Sequence, residues 1–224
     1  MDVGDMAIIR NLTNPAPPSL PLAPEQYERR YQDQYSNVFR LYFNQLSSAL
    51  QALFGPNGGQ YIDCPNALFF NTADQTFPLA NTAYPVVFNA TYLDNAVALA
   101  PGSASQIVAS VPGIYNFQFT AQLLSTNSSA KTVYVWISRN GVDIGFSTRA
   151  ITLAANGEYA EVNWAFSIDL DRGEFVELKV SSTSTAIELH ADAAAAPHPG
   201  IPSSVLTTSF ISPMPNPRPT PPSP

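Results

Sequence analysis

Two segments in the middle of the chain alternate strictly between apolar and polar positions. In Ile114–Leu123, residues Tyr115, Phe117, Phe119, Ala121 and Leu123 fall on one side, and Asn116, Gln118, Thr120 and Gln122 on the other. In Ala160–Leu170 the same period sets Ala160, Val162, Trp164, Phe166, Ile168 and Leu170 against Glu161, Asn163, Ala165, Ser167 and Asp169. Successive side chains of a strand face opposite sides, so each segment predicts a long strand with one buried and one wet face. Strands of this kind belong to antiparallel sheets that pack one face on a core.

Shorter candidates surround these two, at Gln60–Cys64, Ala67–Asn71, Pro85–Asn89, Gln106–Ser110, Thr132–Ser138, Val142–Ser147, Ala150–Ala154, Glu174–Val180, Ala186–His190 and Val205–Ser212, with the second long strand beginning at Tyr159. Arg139-Asn140-Gly141 predicts a tight hairpin, because Asn-Gly tolerates the positive φ that both central residues need. Asp169-Leu170-Asp171-Arg172-Gly173 predicts another turn. Short strands punctuated by Gly, Pro and Asn predict an antiparallel jelly-roll β-sandwich, or a related sandwich, over residues 56–212.

Ahead of the sandwich the period changes from two to that of a helix. Pro24 before Glu25 suits a helix start and Gly55-Pro56 a stop, so residues 25–55 predict one N-terminal α-helix. Phe39, Phe43, Leu46, Leu50 and Leu53 are spaced 4-3-4-3, the rhythm of a helical seam. Tyr31, Tyr35, Val38 and Tyr42 add a second apolar flank, wider than a two-stranded coil needs. The helix is expected either to pack on its own sandwich or to bundle with two further copies, and the bundle is the preferred expectation. Phe39, Phe43, Leu46, Leu50 and Leu53 are the candidate oligomer interface.

The two ends are rich in proline. Residues 1–24 form an extended arm in which Pro15, Pro17, Pro18, Pro21 and Pro24 remove backbone donors, and Leu12, Leu20 and Leu22 are candidate anchors. Residues 213–224 form a tail whose seven prolines in twelve residues favour a polyproline-II rod.

Composition narrows the partners. Charged residues make up 12% of the chain, about half the usual share, and the polar surface is supplied by Ser, Thr, Asn and Gln, which pack against other subunits without desolvating charge. Lys and Arg number 10 against 17 Asp and Glu, and no basic cluster exists, so no nucleic-acid partner is expected. The acidic N-terminus lacks an apolar run, and no segment approaches membrane-spanning length, so neither a signal peptide nor a membrane partner is expected. The sequons at Asn11, Asn89 and Asn127 then carry little weight. Cys64 stands alone, which excludes an intrachain disulfide, and is expected to be a small buried hydrophobe.

Candidate chemistry is sparse. His190 and His198 flank Asp192, but one closes a strand and the other sits between prolines, so no metal or catalytic pair is expected there. Asp169 and Asp171 have the spacing of a Ca²⁺-holding turn, against which stands a solvated hairpin with side-chain-to-backbone bonds. Glu158 and Glu161, or Glu174 and Glu177, are too generic to nominate as a glycosidase pair. Trp136 and Tyr159 are candidates for glycan stacking, with core packing the expected fate of Trp136. No phosphate-cradling loop or nucleophile elbow appears. The expectation is a non-enzymatic protein without cofactor or metal.

Three stretches resemble a known fold family. Gly113-Ile-Tyr-Asn-Phe-Gln-Phe119, Val135-Trp-Ile-Ser-Arg-Asn-Gly141 and Ala165-Phe-Ser-Ile-Asp-Leu-Asp-Arg-Gly-Glu-Phe-Val-Glu-Leu-Lys179 resemble the jelly roll of the complement globular head and tumour necrosis factor superfamily. The resemblance implies a compact homotrimer. Leu22-Ala-Pro-Glu-Gln-Tyr-Glu-Arg-Arg-Tyr31, running into Arg40-Leu-Tyr-Phe-Asn-Gln-Leu46, and Pro199-Gly-Ile-Pro-Ser-Ser-Val-Leu-Thr-Thr-Ser-Phe-Ile211 are similar to the ends of many tailed-bacteriophage structural proteins. That resemblance implies a virion surface protein made in the host bacterial cytoplasm, acting as capsid cement or decoration or as a head or tail fibre component. Its partners would be itself and other virion proteins such as the major capsid protein or tail and portal components. The chain departs from the complement pattern in lacking a collagen-like Gly-X-Y stalk. A receptor- or glycan-binding module at a fibre tip is the alternative.

Overall fold

The computed structural model describes residues 17–22, 25–54, 64–154 and 157–214. The chain divides into two units, Met1–Asp63 and Cys64–Pro224. Leu12, most of the expected strand Gln60–Cys64, the expected helix stop at Gly55-Pro56 and the tail from Pro215 onward lie outside the described residues.

The described part of the first unit is dominated by α1 (Arg29–Phe54), a helix of 26 residues and about 39 Å. It begins one turn later than Pro24 suggests. The first bond runs from the Gln32 N–H to the Glu28 carbonyl at 3.2 Å. No Ser, Thr, Asp or Asn stands between Ala23 and Glu28 to satisfy the free N–H groups of an earlier first turn. None of the helix residues is buried. No helix among the described residues is long and apolar enough to cross a membrane.

The second unit contains fourteen strands among its described residues: β1 (Asn66–Asn71), β2 (Gln75–Thr76), β3 (Tyr84–Pro85), β4 (Ala90–Asn95), β5 (Val97–Leu99), β6 (Ile107–Ala109), β7 (Gly113–Ser125), β8 (Lys131–Arg139), β9 (Val142–Asp143), β10 (Arg149–Leu153), β11 (Glu158–Leu170), β12 (Phe175–Ser182), β13 (Ile187–Leu189) and β14 (Ser204–Ser212). They form two antiparallel seven-stranded sheets packed as a jelly-roll sandwich. One runs β2-β13-β7-β14-β1-β4, with β11 on the far edge of β7; the other runs β10-β8-β12-β6-β5, with β3 on β12 and β9 on β8. β7 organises the first sheet. It pairs along its whole length with β11, from Gly113↔Leu170 to Ser125↔Glu158, and shares its other edge between β13 and β14.

The two alternating segments behave as their pattern predicts. Tyr115, Phe117, Phe119, Ala121 and Leu123 of β7 are buried, as are Val162, Trp164, Ile168 and Leu170 of β11. Facing them are Val133, Val135 and Ile137 of β8 and Val176, Leu178 and Val180 of β12. The rings of Phe117 and Phe166 stack across β7 and β11 at 5.1 Å. The Asn-Gly hairpin also forms as expected, with φ of 51° at Asn140 and 81° at Gly141, between β8 and β9. At the Asp169–Gly173 turn, Gly173 has φ of 82° and the Glu174 N–H meets the Asp171 carbonyl at 3.1 Å.

Several strands differ from expectation. In Pro85–Asn89 only Pro85 joins a ladder; Val86 and Phe88 are buried as an alternating strand would have them, but the Val87 N–H bonds the Gln75 side chain at 2.9 Å instead of a neighbouring strand. Val142–Ser147 stops as a strand at Asp143, because Phe146 takes φ of 62° and Ser147 bonds back to Ile144. β2, β4 and β5 are additions. β4 is an edge strand with no buried residue, so it shows no period of two to read. Cys64 is exposed, contrary to its expected burial: it precedes Pro65 at the mouth of β1, where its carbonyl accepts from the Asn66 and Asn95 side chains.

Candidate functional site

On the outward face of the first sheet, the register assembles a polar row across four strands. Leu189 of β13 is buried and opposite Gln75 of β2, so Glu188 and the following His190 point outward, and the next pair of the register sets His190 against Asp74. The His190 N–H bonds the Gln122 carbonyl of β7 at 2.8 Å, and Gln122 lies opposite Glu161 of β11. The row thus runs Glu161, Gln122, His190, Asp74.

His190 is its centre. Its Nδ1 lies 2.9 Å from Glu188 Oε1 and 3.3 Å from Asp74 Oδ1, and its Nε2 lies 3.2 Å from Asp192 Oδ1. Asp192 is oriented by a 3.1 Å bond from Gln122 Nε2, and Asp74 by a 2.7 Å bond from the Ala191 N–H. The ring of Tyr159 meets the imidazole edge-on at 5.8 Å. Burial alone would push the imidazole pKa down, but the Glu188 bond and the charges of Asp74 and Asp192 outweigh it and hold the group above its ordinary value. Beside the row is a depression of about 390 Å³ lined by Gln122, Tyr159, Glu161, Ile201, Pro202 and Val205.

The other candidates are dispersed. His198 bonds the Pro199 carbonyl at 3.0 Å, in the loop that bridges Asp192 to Ile201. Trp136 is half-buried on the outward side of β8, between the inward Val135 and Ile137, and so does not join the core as expected. Tyr159 is 54% exposed on the outward face of the other sheet, so the two aromatics do not form one glycan platform. Asp169 pairs with Arg139 at 3.2 Å across the sheets rather than sharing a turn site with Asp171. Glu158 and Glu161 occupy opposite faces of β11. Glu174 accepts from Asn140 Nδ2 and the Asp171 N–H, while Glu177 is held by Ser105 at 2.7 Å and Lys179 at 2.9 Å, so neither pair is poised for acid–base work.

A second depression, of about 710 Å³ and more apolar, opens between the sheets where Trp164, Phe166 and Ile168 face Ile137, Ile144 and Phe146. Phe146 stands at its lip, 90% exposed.

On α1 an aromatic ladder runs from Tyr31 to Tyr35, Phe39 and Phe43, with ring centres 4.7–6.2 Å apart. Phe39, Leu46 and Leu53 are half-buried along with Tyr31, Tyr35, Val38, Tyr42 and Ala49, whereas Phe43 and Leu50 are 57% and 43% exposed. The expected seam residues therefore sit on one broad apolar band of which no residue is buried among the described residues. Tyr31 Oη of α1 donates to the Pro21 carbonyl of the arm at 3.4 Å, while Leu20 and Leu22 are exposed.

Sequence reading missed Asp74 and Glu188. Glu188, His190 and Asp192 carried a usable signal, since residues two apart share one side of an extended segment. Asp74 carried none, because only the pairing of β2 with β13 brings it to His190.

No family model matches the chain, and no curated protein matches it in sequence. Among solved structures, the chain is similar to the globular domain of zebrafish complement 1qA protein, at 15% identity over 66% of this chain and 97% of that one, with a TM-score of 0.40. At that level the likeness says nothing about function. The resemblance of the chain ends to bacteriophage structural proteins rests on sequence motifs alone.

Proposed function

We propose that this chain is a structural protein of a bacteriophage virion, a homotrimeric surface protein acting as capsid cement or decoration or as a head or tail fibre component. The observation that carries the self-association is the apolar band of α1. A helix presenting Tyr35, Phe39, Phe43, Leu46, Leu50 and Leu53 while burying none of its residues leaves its stability to be supplied by packing against something else. The breadth of the band suits a bundle of three better than a pair. The sandwich supports the structural role: its core is dominated by apolar side chains. The virion assignment and the surface location rest on the sequence motifs at the two ends, and the particle-facing anchors are Leu12, Leu20 and Leu22.

Light scattering on the purified chain tests the oligomer. The expected mass is three times 24.2 kDa at micromolar concentration, and a monomer mass would overturn the reading. Antibody labelling of purified particles tests the location: labelling should decorate the particle surface, and its absence would overturn the virion role.

One observation favours a second reading, a glycan-binding module. Tyr159 is 54% exposed beside Glu161, Gln122 and the 390 Å³ depression, a stacking ring next to hydrogen-bonding groups. Glycan-array binding that is lost in Tyr159→Ala would support it.

A further inference from the structure

We propose that Asp74, Glu188 and His190 form a binding site for a first-row divalent transition metal, of which Zn²⁺ is the natural probe. One donor atom from each residue lies within 4.8 Å of the others, and two of the separations, 2.9 Å and 3.3 Å, are shorter still. Donors arranged around a metal at bond lengths of about 2.0–2.2 Å stand roughly 3–3.5 Å apart, so the three need only small rotations to share one ion.

The surroundings of the imidazole point to a cation independently of that spacing. A neutral imidazole has one N–H and one lone pair, yet carboxylate oxygens face both nitrogens of His190. Asp192, held by Gln122 Nε2, lies on the Nε2 side, so an ion bound at Nδ1 between Glu188 and Asp74 would displace the Nδ1 proton and leave the remaining one on Nε2 for Asp192. A carboxylate behind a histidine is the arrangement that orients metal-bound imidazoles and raises their basicity. Two oxygens converge on Nδ1, and a single proton there serves only one of them well; a metal ion takes both.

Charge balance agrees. Asp74, Glu188 and Asp192 bring three carboxylates around one histidine, and among the described residues no Lys or Arg forms an ion pair with any of them. The site is also built on a sheet: Glu188 and His190 lie two apart at β13, Asp74 faces them from the start of β2, and the Ala191 N–H fixes the Asp74 carboxylate. With side-chain exposures of 45%, 25% and 17% for Asp74, Glu188 and His190, an ion has an entry path and positions left for water. A nitrogen donor and only three protein ligands select against Ca²⁺ and Mg²⁺, which prefer oxygen shells.

Calorimetric titration of the full-length, chelator-treated protein with ZnCl₂ tests the site, with Co²⁺ absorption as a second readout. One ion per chain is expected, with Ca²⁺ and Mg²⁺ giving no saturable heat. His190→Gln and Glu188→Gln should abolish that binding and the visible Co²⁺ bands, while Asp192→Asn should weaken it about 10- to 100-fold with stoichiometry unchanged. Cys64→Ser and His198→Gln should bind as the parent does. Should His190→Gln fail to fold, Asp74→Asn replaces it, since that side chain is the most exposed of the three. Absence of saturable Zn²⁺ binding, or full binding by the His190 or Asp74 variant, would overturn the proposal.

Discussion

Gly113, at the head of β7, lies under the ring of Phe210 from β14. A side-chain carbon on Gly113 would collide with Cε2 of that ring and stand 2.8 Å from the Ser212 carbonyl. The same ring meets Tyr115 edge-on at 5.5 Å. The glycine is therefore required by a close approach between two strands. Gly113→Ala should destabilise the fold by about 1–3 kcal/mol, the usual range for overpacking. In a double-mutant cycle by urea unfolding, Phe210→Leu should recover part of that loss; strict additivity would show that the ring is not the obstacle.

Thr208 of β14 is 1% exposed, and among the described residues its Oγ1 has no hydrogen-bond partner. Desolvating a hydroxyl without compensation costs free energy that an isosteric methyl does not. Thr208→Val should be neutral or more stable by up to about 1 kcal/mol. A clear loss in thermal unfolding would mean that the hydroxyl has a partner after all.

Glu177 sets an acid limit. Burial would push its carboxyl pKa up, but hydrogen bonds from Lys179 and Ser105, with the Lys179 charge, hold it below its ordinary value of 4.5. A carboxyl depressed in the folded state contributes stability above its unfolded pKa and loses it as pH falls through the folded value. The stability gap between the parent and Glu177→Gln should therefore be constant above pH 4.5 and close as pH falls below it. A gap that persists unchanged into the acid range would remove Glu177 from the account.

The helical band makes a paired prediction. Leu46→Asp should drive the oligomer towards the monomer mass, because an unpaired charge in a packed interface is costly, while Gln45→Asp, on the exposed side, should not. Equal behaviour of the two variants in light scattering would show that the seam is misassigned.

The proline-rich arm is expected to carry attachment. A segment with five prolines in its last ten residues and three leucines buries little by itself, so a partner must order it. Deleting residues 1–24 should leave a folded oligomer that no longer decorates particles. Full occupancy by the truncated chain would place attachment elsewhere.

β7 and β11 were legible as sequence because each buries one whole face, and a period of two records that burial residue by residue. The Asn140-Gly141 hairpin was legible because its backbone demands residues that tolerate positive φ. The helix and its apolar band were legible from spacing alone, although its first turn was not, since a missing cap leaves no mark as clear as a proline.

What tertiary structure alone decided is where segments without such a signal come to rest. β4 is exposed on both faces and β2 is two residues long, so neither has a pattern to read. Trp136 looked apolar enough for the core, but the inward register of Val135 and Ile137 obliges it to face outward. Asp74 and His190 stand 116 positions apart, and nothing local to either predicts the other. Periodicity reports which side of a strand is wet. Only the pairing of strands decides which wet side chains meet, because register is a relation between two segments and is written in neither one.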